Sequence, residues 1–227
     1  MMAMFPLGSV LLPGAVLPLH VFEPRYRQLV QDCLADDDHE FGVVLIDRGS
    51  EVGGGDSRSM VGTVAKMIQV AEFADGRYAL MTIGTRRIRV RAWVPDDPYP
   101  LADVDDWPDD ESDIDGDQIA ETFARVRRVN ALASELGDDS ADVMAEISND
   151  LLVASYHLCA LAPIGPADQQ RLLEAAGPDQ RMRILSTALD DAEARLRFRL
   201  QHPSASGGEA GEIDLTDPYD RPDFDGS

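Results

Sequence analysis

Three segments of this chain contain residues whose types and spacing could support chemistry. PLHVFEPRYR, residues 18–27, places a histidine, a glutamate and an arginine close together. TRRIRVRAWV, residues 85–94, alternates cationic and apolar residues over the length of a strand. DIDGDQ, residues 113–118, has the alternating carboxylates that open a calcium-binding loop. Each segment also has a structural interpretation, and the choice between the two decides what function the sequence supports.

His20, Glu23 and Arg25 in the first segment form a combination that acid–base catalysis uses. The structural interpretation is that Glu23 and Arg25 fix a junction between a strand and a helix through hydrogen bonds and an ion pair. Pro24 suits the first position of a helix, and Glu23 before it faces the positive helix end. Since closeness in sequence says nothing about geometry, we favour the structural interpretation.

The second segment predicts a strand with one apolar face and one cationic face. The apolar face consists of Ile88, Val90, Ala92 and Val94, and the other of Arg87, Arg89, Arg91 and Trp93. Arginine and tryptophan are enriched at binding hot spots, so the second face is a candidate site for an acidic or extended peptide. The alternatives are a solvated strand face or an internal partner for the acidic loop 103–117, and the nearby opposite charges favour these alternatives.

The third segment departs from a calcium loop at two decisive positions. Gln118 stands where the turn glycine is needed, and Ala124 stands where a bidentate glutamate is needed. An acidic helix N-terminus explains the same aspartates. The four histidines are scattered and the two cysteines, Cys33 and Cys159, have no metal-ligand spacing. We therefore predict no metal and no cofactor, and a reduced, cytoplasmic protein.

The charge of the chain is strongly acidic and unevenly distributed. There are 42 acidic and 20 basic residues, which gives a formal net charge of −22. Residues 96–121 contain twelve acidic residues and no basic one, and residues 203–227 contain seven acidic residues against one arginine. Phosphate backbones and anionic lipids would repel such a chain, so neither nucleic acid nor membrane is an expected partner.

The first 30 residues decide between export and a soluble fold. FPLGSVLLPGAVLPLHVFEPRYRQLV, residues 5–30, begins as an apolar run, but Pro6, Pro13 and Pro18 interrupt it and no lysine or arginine precedes Arg25. A signal peptide or a spanning helix requires an uninterrupted apolar run. The segment therefore predicts two strands followed by a helix that begins at Pro24.

The remaining pattern predicts an α+β protein, because a block of strands precedes a block of helices. We expect six or seven strands and one helix over residues 1–107, and four helices over residues 108–202. The second of those four is expected to run from about Val143 to just before Pro163. Residues 203–227 are expected to be a disordered acidic tail, since they have too few apolar residues to fold alone.

The order of these parts resembles the substrate-binding N-terminal domain family of Lon proteases, here as a stand-alone member. The residues that carry the resemblance are FPLGSVLLPGAVLPLHVFEPRYRQLV, FGVVLI, VGTVAKM, GTRRIRVR and ASYHLCALAPIGPADQQRLLEA. The resemblance implies a PUA-like β pseudo-barrel subdomain followed by a four-helix subdomain. It also implies a role in recognising substrate proteins. The most specific motif positions, for which we expect a mainly structural role, are Pro18, His20, Phe22, Glu23, Pro24, Arg25 and Tyr26.

The departures from a complete Lon protease shape the functional prediction. The sequence contains no Walker motif and no G-x-S-x-G elbow, and its single lysine, Lys66, lies in a predicted strand with no nucleophile beside it. We expect a non-catalytic module that binds proteins or unfolded, extended peptides. Its site would be a groove of the β subdomain, or one between that subdomain and the helices. The alternative is a peptidase-related hydrolase with an unrecognised site, and the oligomeric state is open.

Overall fold

The computed structural model describes residues 1–48, 57–138 and 146–202, and in them a block of strands precedes a block of helices. The strands are β1 (Met2–Leu7), β2 (Val16–Val21), β3 (Glu40–Arg48), β4 (Ser57–Glu72), β5 (Tyr78–Val94) and β6 (Leu101–Asp106). The helices are α1 (Pro24–Ala35), α2 (Gly116–Glu135), α3 (Leu151–Leu161), α4 (Pro166–Leu173) and α5 (Pro178–Gln201). The expected α+β class is confirmed. The acidic tail lies outside the described residues.

The six strands form one mixed sheet that curls into an uneven ring. Its order is β2-β5-β4-β3-β1-β6, and β5 also pairs with β6, so that five strands close on one another while β2 extends the sheet beyond the ring. One cluster takes a residue from every ring strand and fills the interior: Met4, Val44, Val64, Ile88, Val90 and Ala102. A side-chain carbon at Gly62 would overlap the backbone carbonyl oxygen of Val43, so this position of the sheet requires glycine.

Helix α1 covers one face of the sheet. It begins at Pro24, as the sequence predicts, because proline needs no N–H partner at the first helical position. Its buried residues follow helical spacing and are Tyr26, Leu29, Val30 and Cys33. They pack against Phe41, Met67, Tyr78 and Leu80 of the strands. Each large apolar side chain buried in this way contributes about 1.5–3 kcal/mol.

Helices α2 to α5 form a second packed unit that also contacts the sheet. Its core contains Val126, Val129, Leu158, Leu172, Leu185 and Leu189, together with Leu12 and Val61 from the β part. Helix α3 begins at Leu151, and residues 146–150 are not helical, so the predicted start at Val143 is wrong for the residues that the structure describes. The reason is Asp150, whose carboxylate accepts a hydrogen bond from the Val153 N–H at 3.0 Å and caps the helix. Within the described residues, no helix is long and apolar enough to cross a membrane.

Candidate functional site

Three strands present an apolar face on the side of the sheet away from α1. The pairing register of β2, β5 and β4 places nine side chains in three rows. The rows are Val16–Ile83–Lys66, Pro18–Met81–Gln69 and His20–Ala79–Ala71. We call these nine residues the apolar sheet face. The members on β2 and β4 are exposed and those on β5 are half-buried, and Val16 keeps 56% of its surface accessible.

The apolar sheet face is unusual because the other face of the same strands is apolar too. Leu80 and Tyr78 are buried beneath α1, and Leu19 packs beside them. A half-exposed antiparallel sheet normally alternates apolar residues inside with polar residues outside. Here six of the nine outward residues are apolar. Exposed apolar surface of this kind marks an interaction site in soluble proteins.

Two exposed phenylalanines enlarge this surface at the end of the strands. Phe22 is 58% exposed and Phe73 is 47% exposed. They line a cleft of about 310 Å³ that we call the tip cleft, together with His20, Val21, Arg77 and Tyr78. Phe22 also borders a smaller cleft of about 210 Å³, which Phe5 and Leu7 help to line. The aromatic rings therefore offer places for large apolar side chains next to the apolar sheet face.

Two strand edges beside this face have no partner strand in the described part of the chain. Strand β2 pairs only with β5, and β4 loses β3 as a neighbour beyond Lys66, which lies opposite Glu40 at the start of β3. Unpaired edges carry backbone N–H and C=O groups that can bind another extended chain. Pro18 removes one donor from β2, so the β4 edge from Ile68 to Glu72 is the better of the two for pairing.

The structure divides the motif PLHVFEPRYR between this surface and the start of α1. Pro18 and His20 belong to the apolar sheet face, and Phe22 lines the tip cleft. Arg25 Nε lies 3.0 Å from the Glu23 carboxylate at the strand-to-helix junction. Pro24 begins the helix, and the ring of Tyr26 stacks on Phe5 with 4.1 Å between centroids.

The arginine segment is dispersed rather than gathered on one face. Arg89 stacks on Trp107 with 4.1 Å between its Cζ and the ring centroid, and exposed Arg91 pairs with Asp105. The prediction that Trp93 shares this face is wrong, because Trp93 packs against the interior of the ring. A register shift between Val90 and Ala92 moves it there. The binding role of these residues stays a prediction.

Arg87 is buried and joins the β part to the helical part. Its Nη1 donates to the backbone carbonyl of Leu173 at 2.7 Å and to that of Ala175 at the end of α4. Its Nη2 lies 3.1 Å from the carboxylate of Asp109. Burial lowers the pKa of Arg87, while these acceptors stabilise its charge. Arg87 thus supports the C-terminus of a helix.

A second buried arginine completes this connection. Arg181 of α5 is fully buried and donates to Asp109 and, at 2.7 Å, to the hydroxyl of Tyr156. The Tyr156 hydroxyl in turn donates to Asp109 at 2.7 Å. We call Arg87, Asp109, Tyr156 and Arg181 the buried polar cluster. Sequence reasoning did not find it, because its successive members are 22, 47 and 25 positions apart along the chain and no local pattern marks them.

A groove between the two parts lies beside this cluster. It has a volume of about 480 Å³ and is lined by Pro13, Arg86, Arg87, Asp106, Trp107, Leu152, Val153 and Tyr156 among others. Its charged groups already have partners, since Arg86 Nη1 lies 2.6 Å from Glu40 and its Nε lies 2.9 Å from Asp106. The groove lies at the location expected between the subdomains, and its charged side chains are already engaged in these ion pairs.

The aspartates of DIDGDQ cap a helix. Asp115 accepts a hydrogen bond from the Gln118 N–H at 2.8 Å, and the Gln118 side chain accepts one from the Asp115 N–H at 3.1 Å. This reciprocal pair is a capping box at the start of α2. In the part of the chain that the structure describes, no three histidine, cysteine, aspartate or glutamate side chains are grouped so as to hold a metal ion.

Both cysteines are expected to be unreactive in the folded chain. Burial raises the pKa of Cys33 to about 12, with Asp36 and Asp32 adding to the effect, and burial also raises the pKa of Cys159 to about 12. Because burial disfavours the charged thiolate, about one thiol in 10⁴ would be ionised at pH 8. A thiol reagent such as DTNB should label neither cysteine at pH 8 until guanidinium unfolds the protein. Rapid labelling of the native chain would contradict this.

Comparisons with known proteins agree with this architecture. A family model described as "ATP-dependent protease La (LON) substrate-binding domain" matches residues 1–191. The chain is 28% identical over 207 residues to Lon protease 2 of Myxococcus xanthus, a match that covers 89% of this chain and 25% of that protein. It is 26% identical over 206 residues to the Lon protease of Anaeromyxobacter dehalogenans, covering 24% of it. The chain thus spans about a quarter of the length of these curated relatives.

Two solved structures are similar. The crystal structure of a Lon N-terminal domain protein from Xanthomonas campestris matches with a TM-score of 0.60 and 27% identity, covering 82% of this chain and 96% of that one. The N-terminal domain of the Mycobacterium avium complex Lon protease matches with a TM-score of 0.56 and 21% identity, covering 84% and 98%. At that identity, the second likeness concerns the fold alone.

Proposed function

The chain belongs to the family of ATP-dependent protease La (LON) substrate-binding domains, and from that premise we propose that it is a non-catalytic module that binds unfolded or extended segments of other proteins. The observation that carries the proposal is the apolar sheet face, with the tip cleft at its end and, beside it, a strand edge that has no partner among the described residues. Together these features match the three needs of an extended apolar ligand, which are backbone pairing, apolar contact and pockets for large side chains.

In this mechanism an extended segment lies along the strands and places alternate side chains on the apolar sheet face. A large side chain enters the tip cleft between Phe22 and Phe73. Two or three such anchors would supply about 4–8 kcal/mol of gross apolar burial. Backbone hydrogen bonds along the strand edge add to this, and ordering the flexible ligand offsets part of the sum, so we expect affinities in the micromolar range. Binding of that strength permits release of the bound protein.

The proposal places the module in the cytoplasm, with proteins as its partners. Cys33 and Cys159 are free thiols, which suits a reducing compartment. The net charge of −22 opposes binding to nucleic acid or to an anionic membrane. The alternative function, a hydrolase with an unrecognised site, is an outcome of the experiment below.

The proposed function is tested with a fluorescent twelve-residue peptide that alternates leucine and glutamine. We expect the chain to bind it with a Kd between about 1 and 100 µM by fluorescence anisotropy. A control peptide with serine in place of leucine should bind at least about tenfold more weakly, because each leucine loses its apolar contact. Equal or undetectable binding of both peptides contradicts the proposal. Cleavage of the leucine peptide, detected by mass spectrometry, would favour the hydrolase.

A further inference from the structure

Three consecutive carboxylates lie beside the β4 edge that has no partner strand in the described ranges. Asp36, Asp37 and Asp38 follow the end of α1, and all three side chains are exposed. The next residue is His39, whose carbonyl accepts a hydrogen bond from the Met67 N–H at 3.0 Å, just where the free edge of β4 begins. An extended segment paired with this edge would therefore end beside the three aspartates.

The positions of these three aspartates are electrostatically unfavourable. They follow the C-terminus of α1, the negative end of the helix dipole, and the last turn of that helix contains no basic residue. Within the described ranges, none of the three forms an ion pair. Their mutual repulsion and the helix dipole both disfavour this arrangement in the isolated chain, and a cationic group beside them would relieve both effects.

The other charged groups around the apolar sheet face are mostly paired. Glu23 binds Arg25, Asp75 binds Arg77, and Glu40 binds Arg86, which also contacts Asp106. Lys66 lies on the face itself, Arg27 packs against the turn at Gly76, and Glu72 is exposed at the end of β4. Counting all of these with Asp36, Asp37 and Asp38, the surroundings carry eight acidic and five basic groups.

We propose that the β4 edge and the apolar sheet face select extended apolar segments that carry lysine or arginine at the end that meets Asp36, Asp37 and Asp38. This inference rests on the proposed function and names the class of segment that the same site prefers. The charge of the site is complementary to a cationic flank, whereas an acidic flank would add to three unpaired carboxylates. Exposed charge pairs are individually weak, so the preference should amount to about tenfold at low salt and fade as salt screens it.

The test uses three versions of the fluorescent leucine–glutamine peptide, flanked at both ends by two lysines, two glutamines or two glutamates. At about 20 mM salt, where the Debye length exceeds 20 Å, we expect the lysine peptide to bind about tenfold more tightly than the glutamate peptide. At about 500 mM salt, the affinity for the lysine peptide should exceed that for the glutamate peptide by less than about threefold. The glutamine peptide should bind with nearly the same affinity at both salt concentrations.

A matched pair of triple variants separates local charge from the field of the whole chain. In the variant D36N/D37N/D38N, the ratio of the affinities for the lysine and glutamate peptides should fall below about threefold. Binding of the glutamine peptide should not change. The variant D110N/E111Q/D113N removes the same formal charge from exposed positions between β6 and α2 and should keep the ratio near tenfold.

The outcomes are distinct for the two proposals. Equal loss of preference in both triple variants, or no loss in either, overturns the inference about Asp36, Asp37 and Asp38 but leaves the proposed function standing, provided that the glutamine peptide binds. Failure of the unmodified chain to bind any of the three peptides overturns the proposed function. All six substitutions keep nearly the same side-chain size at exposed positions, and the first variant also removes charge from a helix C-terminus, so we expect both variants to fold, which circular dichroism checks.

Discussion

Replacing Asp109 with alanine is expected to lower the free energy of unfolding by about 3–5 kcal/mol, the range typical of breaking a buried ion pair. The carboxylate is the one anion in the buried polar cluster, and it pairs with Arg87 at 3.1 Å and with Arg181. Without it, two buried guanidiniums would lie close together and lose their shared ion-pair partner. Domains of this size have a total stability of about 5–15 kcal/mol, so the loss is a large fraction of the whole.

Urea unfolding followed by circular dichroism measures this effect. The midpoint should fall by about 1–5 M, given typical slopes of about 1–3 kcal/mol per molar urea. The matched control is Asp105→Ala, which removes the partner of exposed Arg91 and should cost less than about 1 kcal/mol. Tyr156→Phe, which removes only the hydroxyl that bonds to Asp109, should cost about 1–3 kcal/mol and remain folded. Equal midpoints for the Asp109 and Asp105 variants would contradict the assigned role of the cluster.

The buried polar cluster also shows where prediction from the sequence reaches its limit. The sequence predicts Arg87 on a strand, which is correct. One interpretation of the sequence also pairs the arginines with the acidic loop 103–117, and in the structure Arg87 pairs with Asp109 of that loop. The second cation, Arg181, is 72 positions from Asp109 and looks like an ordinary exposed helix residue in the sequence. Such a contact depends on how the helices pack on the sheet, and no short-range pattern encodes that.

Elements with strong local signals were predicted correctly. Pro24 fixes the start of α1, and the separate blocks of strands and helices gave the α+β class, because proline geometry and apolar periodicity act within a few residues. Trp93 was misplaced because one inserted residue at a register shift reverses the direction of every following side chain. Alternation alone cannot reveal such an insertion.

The apolar sheet face was not predicted as a site, although its signal is present in the sequence. VLPLHV and ALMTIG are apolar at consecutive rather than alternate positions. That pattern indicates a strand apolar on both faces, which is ordinarily buried on both. Only the structure shows that α1 covers one face and that no described helix covers the other. The site is therefore recognised because strands that are apolar on both faces are covered by a described helix on one face only.

Replacing both Phe22 and Phe73 with serine is expected to weaken binding of the leucine–glutamine peptide by about 100-fold. Each ring is a large exposed anchor at the tip cleft, and losing such an anchor at an interface costs about 1–2 kcal/mol. Together the two substitutions should lower the binding free energy by about 2–4 kcal/mol. A change of about 1.4 kcal/mol corresponds to a tenfold change in Kd. Fluorescence anisotropy measures the change, and each single variant should lose about tenfold.

The matched control for these variants is Phe198→Ser. Phe198 is 58% exposed, the same fraction as Phe22, but it lies on α5 and stacks on His202. Since all three phenylalanines are exposed, none of the substitutions should change the unfolding midpoint appreciably. Binding should therefore weaken for Phe22→Ser and Phe73→Ser but not for Phe198→Ser. If Phe198→Ser weakened binding equally, exposed aromatic surface in general, rather than the tip cleft, would account for the affinity.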